Sequence, residues 1–395
     1  MPDRNADYLI IGGGIAGTTA AETIRSRDKD GSIVIVSAEP YPLYSRIMLS
    51  KRGFFLGQIP EDRIWLKTKE WYKQNDILLL AERSAVSLET KEQTITLDDG
   101  EIIEYKKLLL AVGSRPNKLN IPGTEKNGIY SMYTLNDARK IIGSANTAKK
   151  AVVAGGGFIA FEMCDLLRKK GLEVTLIMRK DKLWSKTLDD NGWHIIEQAI
   201  LAGGVKLIKN DGAAEILGDS AVAAIKTKNG NETQCDLFIA GIGINCPTEP
   251  FMSAGISCDK GIITNEYLET NVSNIWAAGD AAEFFDTMTA EKTQTINWAN
   301  AQGQGRIAGI NMTGGRELFQ MTTSFTSGGF GITIATVGNI YPTPPFETDC
   351  QKPTENNFTQ TISKNGKISG AILINNNKEI SAITQKISGT INAKM

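Results

Sequence analysis

Histidine is nearly missing: His194 is the single one in 395 residues. That argues against histidine-based catalytic triads and histidine metal sites. Cysteine is scarce and scattered. Its five positions, 164, 235, 246, 258 and 350, form no CxxC pair. Neither a zinc site nor a redox disulfide is indicated, and no metal is expected. The odd count and wide spacing suit a reducing cytosol, with Cys164 as a small buried hydrophobe. Net charge is also lacking, at −1 from 43 basic and 44 acidic residues. No field of one sign recommends nucleic acid or a membrane surface as partner. No apolar stretch reaches membrane-spanning length, and the polar start Met-Pro-Asp-Arg-Asn-Ala-Asp has no secretory pattern. A cytoplasmic location is the expectation.

What the chain does have is glycine in two patterned places. At 395 residues it is too long for one ordinary core, so two or three domains are expected. The stretch "DYLIIG" is a short apolar run, followed by Gly12, Gly14 and Gly17 in GxGxxG spacing and by helix-forming "TTAAETIRSR". The next apolar run, "SIVIVSAE", ends at Glu39, 22 residues past Gly17. Each part has a job in a dinucleotide loop. Gly12 permits the tight turn, Gly14 lets backbone approach a pyrophosphate, and Gly17 lets helix and strand touch. The amide end of the helix attracts phosphate. Glu39 can accept from a ribose diol.

The layout recurs at "KKAVVAGGGFIAFEMCDLLRKKG", with Gly155, Gly157 and, in the third place, Ala160. Gly171 is a natural helix stop. The following run "LEVTLIMRKDKL" ends not on an acid but on Met178, Arg179 and Lys180. An acid there would repel a 2′-phosphate, and cations would bind one, so the local physics leans to NADPH over NADH. Cations that simply face solvent at a strand end are the other reading, and both stay open at this point.

Together with "IWAAGDAAE" at 275–283 and "LLLAVGSRPN" at 108–117, the two loops resemble the two-dinucleotide-fold flavoprotein reductases. The resemblance covers essentially the whole chain. It implies FAD at the first loop and NAD(P)H at the second. It also implies that Asp280 binds the ribityl and pyrophosphate region, with Gly279 allowing close approach. The stretch through Ala111 to Gly113 resembles the crossover between the two domains, reading Ala-Val-Gly where Ala-Thr-Gly is usual.

Branches of that family that relay electrons through cysteine would carry it shortly after Glu39. This chain reads "PYPLYSRIMLSKRGFF" there, without cysteine. The segment "YSRIMLSK" is similar to that of rubredoxin reductases, oxygenase-type ferredoxin reductases and the flavin part of assimilatory nitrite reductases. The resemblance implies that Arg46 contacts FAD, that Lys51 sits near the flavin N5 edge, and that Glu162 pairs with Lys51. It makes Phe158 an aromatic shield of the flavin. It places Trp298 at the edge of the nicotinamide–flavin site, with Ala301 and Gln302 near the pyrimidine end of the ring. Lys51, Glu162, Phe158 and Trp298 are thus the expected catalytic group.

The tail differs in texture. "GITIATVGNI" and "NNFTQTISKNGKISGAILINN" read as strands with a hairpin at Asn365-Gly366, and "KEISAITQKI" as a helix. Residues 341–357 read as a proline-punctuated connector. The Trp-Ser-Asp-Gln signature of oxygenase ferredoxin reductases is replaced by "SFTSGGFG" at 324–331. The expected fold is α/β: two Rossmann-like, glutathione-reductase-like domains plus a small α+β domain. Residues 1–115 and 246–318 form a discontinuous FAD domain, 116–245 an inserted NAD(P) domain, and 319–395 the C-terminal domain. The implied function is electron transfer from NAD(P)H through FAD to a small iron or iron–sulfur protein, rubredoxin or ferredoxin. Two alternatives stand beside it: an oxidase reducing dioxygen directly, and a nucleotide-sensing flavoprotein with an interaction role. A homodimer is left open.

Overall fold

A computed structural model describes residues 2–287, 291–351, 354 and 356–389. The last six residues of the expected C-terminal domain lie outside the described residues. So do 352, 353 and 355 of the expected connector and 288–290 of the expected FAD domain. The chain divides into two compact units. The first holds residues up to Ser45, Ile64–Arg115 and Asn245–Met321; the second holds Arg46–Arg63, Pro116–Ile244 and the chain from Thr322 onward. The segment 46–63 thus groups with the second unit, as does the C-terminal region.

In the first unit the apolar runs become parallel strands. Ile77–Ala81, Ile33–Ser37, Arg4–Ile11 and Ile102–Leu110 lie side by side in that order. The C-terminal end of the last also pairs with Ile275–Ala277 in parallel, while its start pairs antiparallel with Thr94–Leu97. Alternation along Arg4–Ile11 sends Tyr8 and Ile10 into one core cluster, and Leu9 and Ile11 into another. Both faces of the sheet are therefore covered, which is why the strand reads as a continuous apolar run. The helices Ile15–Arg27 and Trp298–Met312 pack on the first of these faces.

The second unit repeats the theme. Val205–Ile208, Glu173–Ile177, Lys150–Gly155, Leu237–Gly241 and Ile129–Tyr130 form a parallel sheet in that order. The helix Phe158–Lys169 follows the second glycine loop and stops at Gly171, whose φ is +92°. A separate antiparallel sheet orders Ser324–Gly329, Ile332–Gly338, Lys367–Ile374, Phe358–Lys364 and Glu347–Cys350. Its hairpin turns at Asn365 and Gly366, with φ of +51° and +72°, as an Asn-Gly turn requires. The helix Ile380–Gly389 ends the described chain. No described helix is long and apolar enough to cross a membrane.

Candidate functional site

The first loop is built from backbone. A Cβ at Gly17 would lie 1.9 Å from the Gly12 carbonyl oxygen, and one at Gly12 would lie 2.0 Å from that of Ala111. Gly12 also has φ +121°. These two glycines pin strand, turn and helix together. Gly14 is different: nothing lies within 4 Å of its Cβ position. It is the N-cap of Ile15–Arg27, with no side-chain cap and no acid in the first turn. The helices Leu135–Ala145, Asp190–Ala202 and Trp298–Met312 all carry side-chain caps, from Thr134, Asp189 and Asn297. The open amide end at Gly14 thus fits a phosphate-bearing ligand.

Around it, Asp280 accepts from Ser114 Oγ at 2.9 Å, and its carbonyl accepts from Gln294 Nε2 at 2.8 Å and Cys246 Sγ at 2.9 Å. Glu39 accepts from the Tyr44 hydroxyl at 2.7 Å. Ala111 is buried, and Gly113 has φ +67°. Ala301 is buried, Trp298 half-buried and Gln302 exposed. It is Gln304, two residues on, that is fully buried. Its Oε1 accepts from the Gly279 N–H at 2.7 Å, and its Nε2 has no partner among the described residues. An orphaned buried amide beside Gly279 is a further sign of a polar ligand site.

The second loop uses the same geometry. Gly155 has φ +156°, and its Cβ would lie 2.2 Å from the Gly241 carbonyl oxygen. Gly157 caps Phe158–Lys169 without a side-chain cap or a first-turn acid, and its Cβ position is open. Ala160 is fully buried against Gly241, which explains why alanine serves in the third place. Met178 is buried, whereas Arg179 and Lys180 are exposed. Arg179 and Lys228 both reach over Gly212, within 3.6 Å and 3.7 Å of its Cβ position. Lys182 instead pairs with Asp190 at 2.5 Å.

The second unit also gathers the expected Lys51, Glu162 and Phe158. Glu162 lies beyond the first turn of its helix and is 2% exposed. Its carboxylate accepts from Lys51 Nζ and Ser50 Oγ, and from Ser327 Oγ at 2.6 Å. Phe158 is flanked by Trp184 and Phe325, with ring centroids 4.7 Å and 4.9 Å away. Trp184 has φ +48°, and its N–H donates to the Gly156 carbonyl at 2.9 Å. A positive φ on a bulky residue is strained and tends to mark a site. Arg46 donates to the Tyr133 carbonyl at 3.0 Å and covers the Tyr133 ring. Ser50, Ser327, Trp184, Lys228 and Gln304 escaped sequence reasoning. Single hydroxyls and a backbone φ leave no spacing signal, and Gln304 needed only the helix period from Ala301.

All five thiols are free. Burial pushes the Cys164 thiol up, and likewise raises Cys235 to about 12 and Cys246, Cys258 and Cys350 to about 11. At about pH 8, Cys246 then holds roughly a hundredfold less thiolate than an ordinary cysteine. Iodoacetamide labelling of the native protein, followed by mass spectrometry, should be slower at Cys246 than in the urea-unfolded chain by at least that factor. The folded value lies above the unfolded one. The resulting stability is complete below about pH 9 and is lost as pH rises through about 11. Equal labelling of folded and unfolded chain would contradict both statements.

Two open dinucleotide loops, each between a parallel strand and an uncapped helix, define a protein with paired dinucleotide-binding folds. Residues 6–305 match the family model described as pyridine nucleotide-disulphide oxidoreductase, and the chain belongs to that family. Membership supports FAD and NAD(P)H as cofactors. It is 32% identical to a nitrite reductase [NAD(P)H] of Bacillus subtilis, over 70% of this chain and 34% of that protein. It is 26% identical to the NADH-rubredoxin oxidoreductase of Clostridium acetobutylicum, over 94% of this chain and 91% of the relative. The chain spans about a third of the length of curated relatives such as the nitrite reductase. The fold matches that of a covalent putidaredoxin reductase–putidaredoxin complex, with TM-score 0.91 and 23% identity, over 98% of this chain and 94% of the other.

Proposed function

We propose that the chain takes hydride from NAD(P)H and passes electrons singly to a small iron or iron–sulfur protein, rubredoxin or ferredoxin. The observation that carries this is the repeated device: one open, uncapped glycine loop in each unit. Bound FAD would supply two-electron acceptance and one-electron release. Gly12, Gly14 and Gly17 would hold its pyrophosphate, Glu39 its ribose, and Asp280 its ribityl region, with Ala111, Gly113 and Gly279 allowing close backbone approach. Trp298, Ala301 and Gln302 would serve the ring, and Arg46 would add a cation. Gly155, Gly157 and Ala160 hold the coenzyme. Lys51, held by Glu162, would favour negative charge on a reduced ring, and Phe158 would shield its face. Residues 1–115 with 246–318 serve FAD, 116–245 serve the coenzyme, and 319–395 form a third part. The free thiols suit a cytoplasmic setting.

Support for the acceptor class comes from the relative named as an NADH-rubredoxin oxidoreductase, which this chain matches along nearly all of its length. The test is anaerobic reduction by NADH or NADPH, then mixing with rubredoxin, ferredoxin or dioxygen. Carrier reduction should outpace oxygen consumption. Faster oxygen use would make the chain an oxidase. Persistent reduced protein with an altered oligomeric state would make it a nucleotide sensor.

For the coenzyme, we propose a preference for NADPH. Arg179, Lys180 and Lys228 offer cations near the end of Glu173–Ile177, and no acid stands at 178–180. Met178 is too buried to take a test carboxylate without unfolding risk. The variant Arg179→Ala with Lys228→Ala should instead lose about tenfold in NADPH affinity and little in NADH affinity. Flavin reduction rate against coenzyme concentration measures both. A wild type that already prefers NADH would show these cations to be solvated surface.

A further inference from the structure

Glu162 and Asp165 stand three residues apart on Phe158–Lys169, so they share one helix face. Each is only 2% exposed. Both take donors from the same two distant stretches of chain. Glu162 accepts from Ser50, Lys51 and Ser327. Asp165 accepts from Arg52 Nη2 at 3.1 Å and from the Phe330 N–H at 2.8 Å. Residues 50–52 and the strand Ser324–Gly329 are thereby fastened to one helix face.

The partition of donors on Glu162 is informative. Ser50 takes Oε2, while Lys51 and Ser327 both take Oε1. Ser327 is 1% exposed, in a strand where alanine would fill the same space without a polar atom to satisfy. Its hydroxyl fixes the rotation of the carboxylate and shares the charge of Oε1. The Lys51 ammonium sits directly on that same Oε1 and 5.2 Å from the Phe325 ring centroid, so the orientation of the carboxylate sets where the cation lies.

We propose that Ser327 is a positioning residue for Lys51, acting through Glu162, so that the C-terminal sheet helps set the cation that serves flavin reduction. The proposal rests on the reading above that Lys51 performs that service. It concerns the stretch 324–331, which reads "SFTSGGFG" in place of the Trp-Ser-Asp-Gln signature.

The test compares Ser327→Ala, Ser327→Thr, Lys51→Met and the double variant Ser327→Ala with Lys51→Met, all as FAD-loaded full-length protein. Thermal unfolding and the FAD-to-protein ratio establish that each is folded and loaded. Ser327→Ala should reduce the flavin about tenfold more slowly at saturating coenzyme, with KM for the coenzyme unchanged. It should also lower the flavin midpoint potential, measured by equilibrium dye titration without coenzyme. Ser327→Thr, which keeps the hydroxyl, should restore both. The double variant should be no slower than Lys51→Met, because the serine acts only through the lysine. If Lys51→Met leaves rate and potential unchanged, the reading of Lys51 fails and the proposal with it. If Lys51→Met lowers both and Ser327→Ala lowers neither, the role of Ser327 alone is overturned. A double variant slower than Lys51→Met would likewise overturn it, showing that the serine acts by another route.

Discussion

Gly17→Ala should purify without flavin. The added Cβ would sit 1.9 Å from the Gly12 carbonyl oxygen and 2.9 Å from Ile10 Cγ2. Neither neighbour is the free end of a long side chain, so the helix Ile15–Arg27 must retreat from the strand Arg4–Ile11. That retreat moves the open amide end at Gly14, on which phosphate binding depends. Hydrogen bonds from backbone amides to a charged phosphate contribute roughly 1.5–3 kcal/mol each. Losing two therefore weakens binding by about a hundredfold or more. Gly14→Ala is the informative control. Nothing in the protein opposes its methyl group, so the variant should fold as wild type and weaken FAD only by intruding on the ligand. The measurement is flavin absorbance against protein absorbance, with FAD identified after denaturation. A Gly17→Ala protein carrying full FAD would refute the assignment of the first loop.

Lys51→Met should cost stability and rate together, and a second substitution should separate them. Glu162 is buried, and without the ammonium its charge is left with two serine hydroxyls. Breaking such a pair by removing one partner destabilises by about 3 kcal/mol. Loss of the cation should slow flavin reduction by about a hundredfold, the scale seen when one preorganised electrostatic group is removed from an active site. Adding Glu162→Gln to Lys51→Met removes the stranded charge. The neutral amide can still bond Ser50 and Ser327, so stability should recover while the rate does not. Urea unfolding and stopped-flow reduction read the two quantities separately. A Lys51→Met protein that reduces at the wild-type rate would remove Lys51 from the mechanism.

What was legible in sequence was what backbone geometry demands of particular residue types. The glycine loops were readable because only glycine tolerates contacts as close as those at Gly12, Gly17 and Gly155. The Asn365-Gly366 hairpin was readable because both residues adopt positive φ. Less legible was the strand Glu347–Cys350, placed in sequence within a polar connector. Among the described residues it is an edge strand paired only with Phe358–Lys364, so its side chains stay mostly exposed and carry no apolar alternation. The grouping of 46–63 with the second unit was equally hidden, since it rests on pairings such as Arg52 with Asp165, 113 residues apart. Trp184 was invisible for a different reason. Its positive φ is imposed by the surrounding structure and not by its own residue type.

The scatter of donors around Glu162 sets an order of events during synthesis on the ribosome. Ser50 and Lys51 are made well before the acid, but Ser327 follows it by 165 residues. At ribosomal speeds of about 5–20 residues per second, that interval is on the order of ten seconds or more. Throughout it the carboxylate lacks one of its buried donors and must keep water in that place. The second unit therefore cannot close dry around Glu162 until its late strands emerge. A nascent chain stalled before residue 322 would expose this wet, half-assembled face to chaperones, however complete its first glycine loop had become.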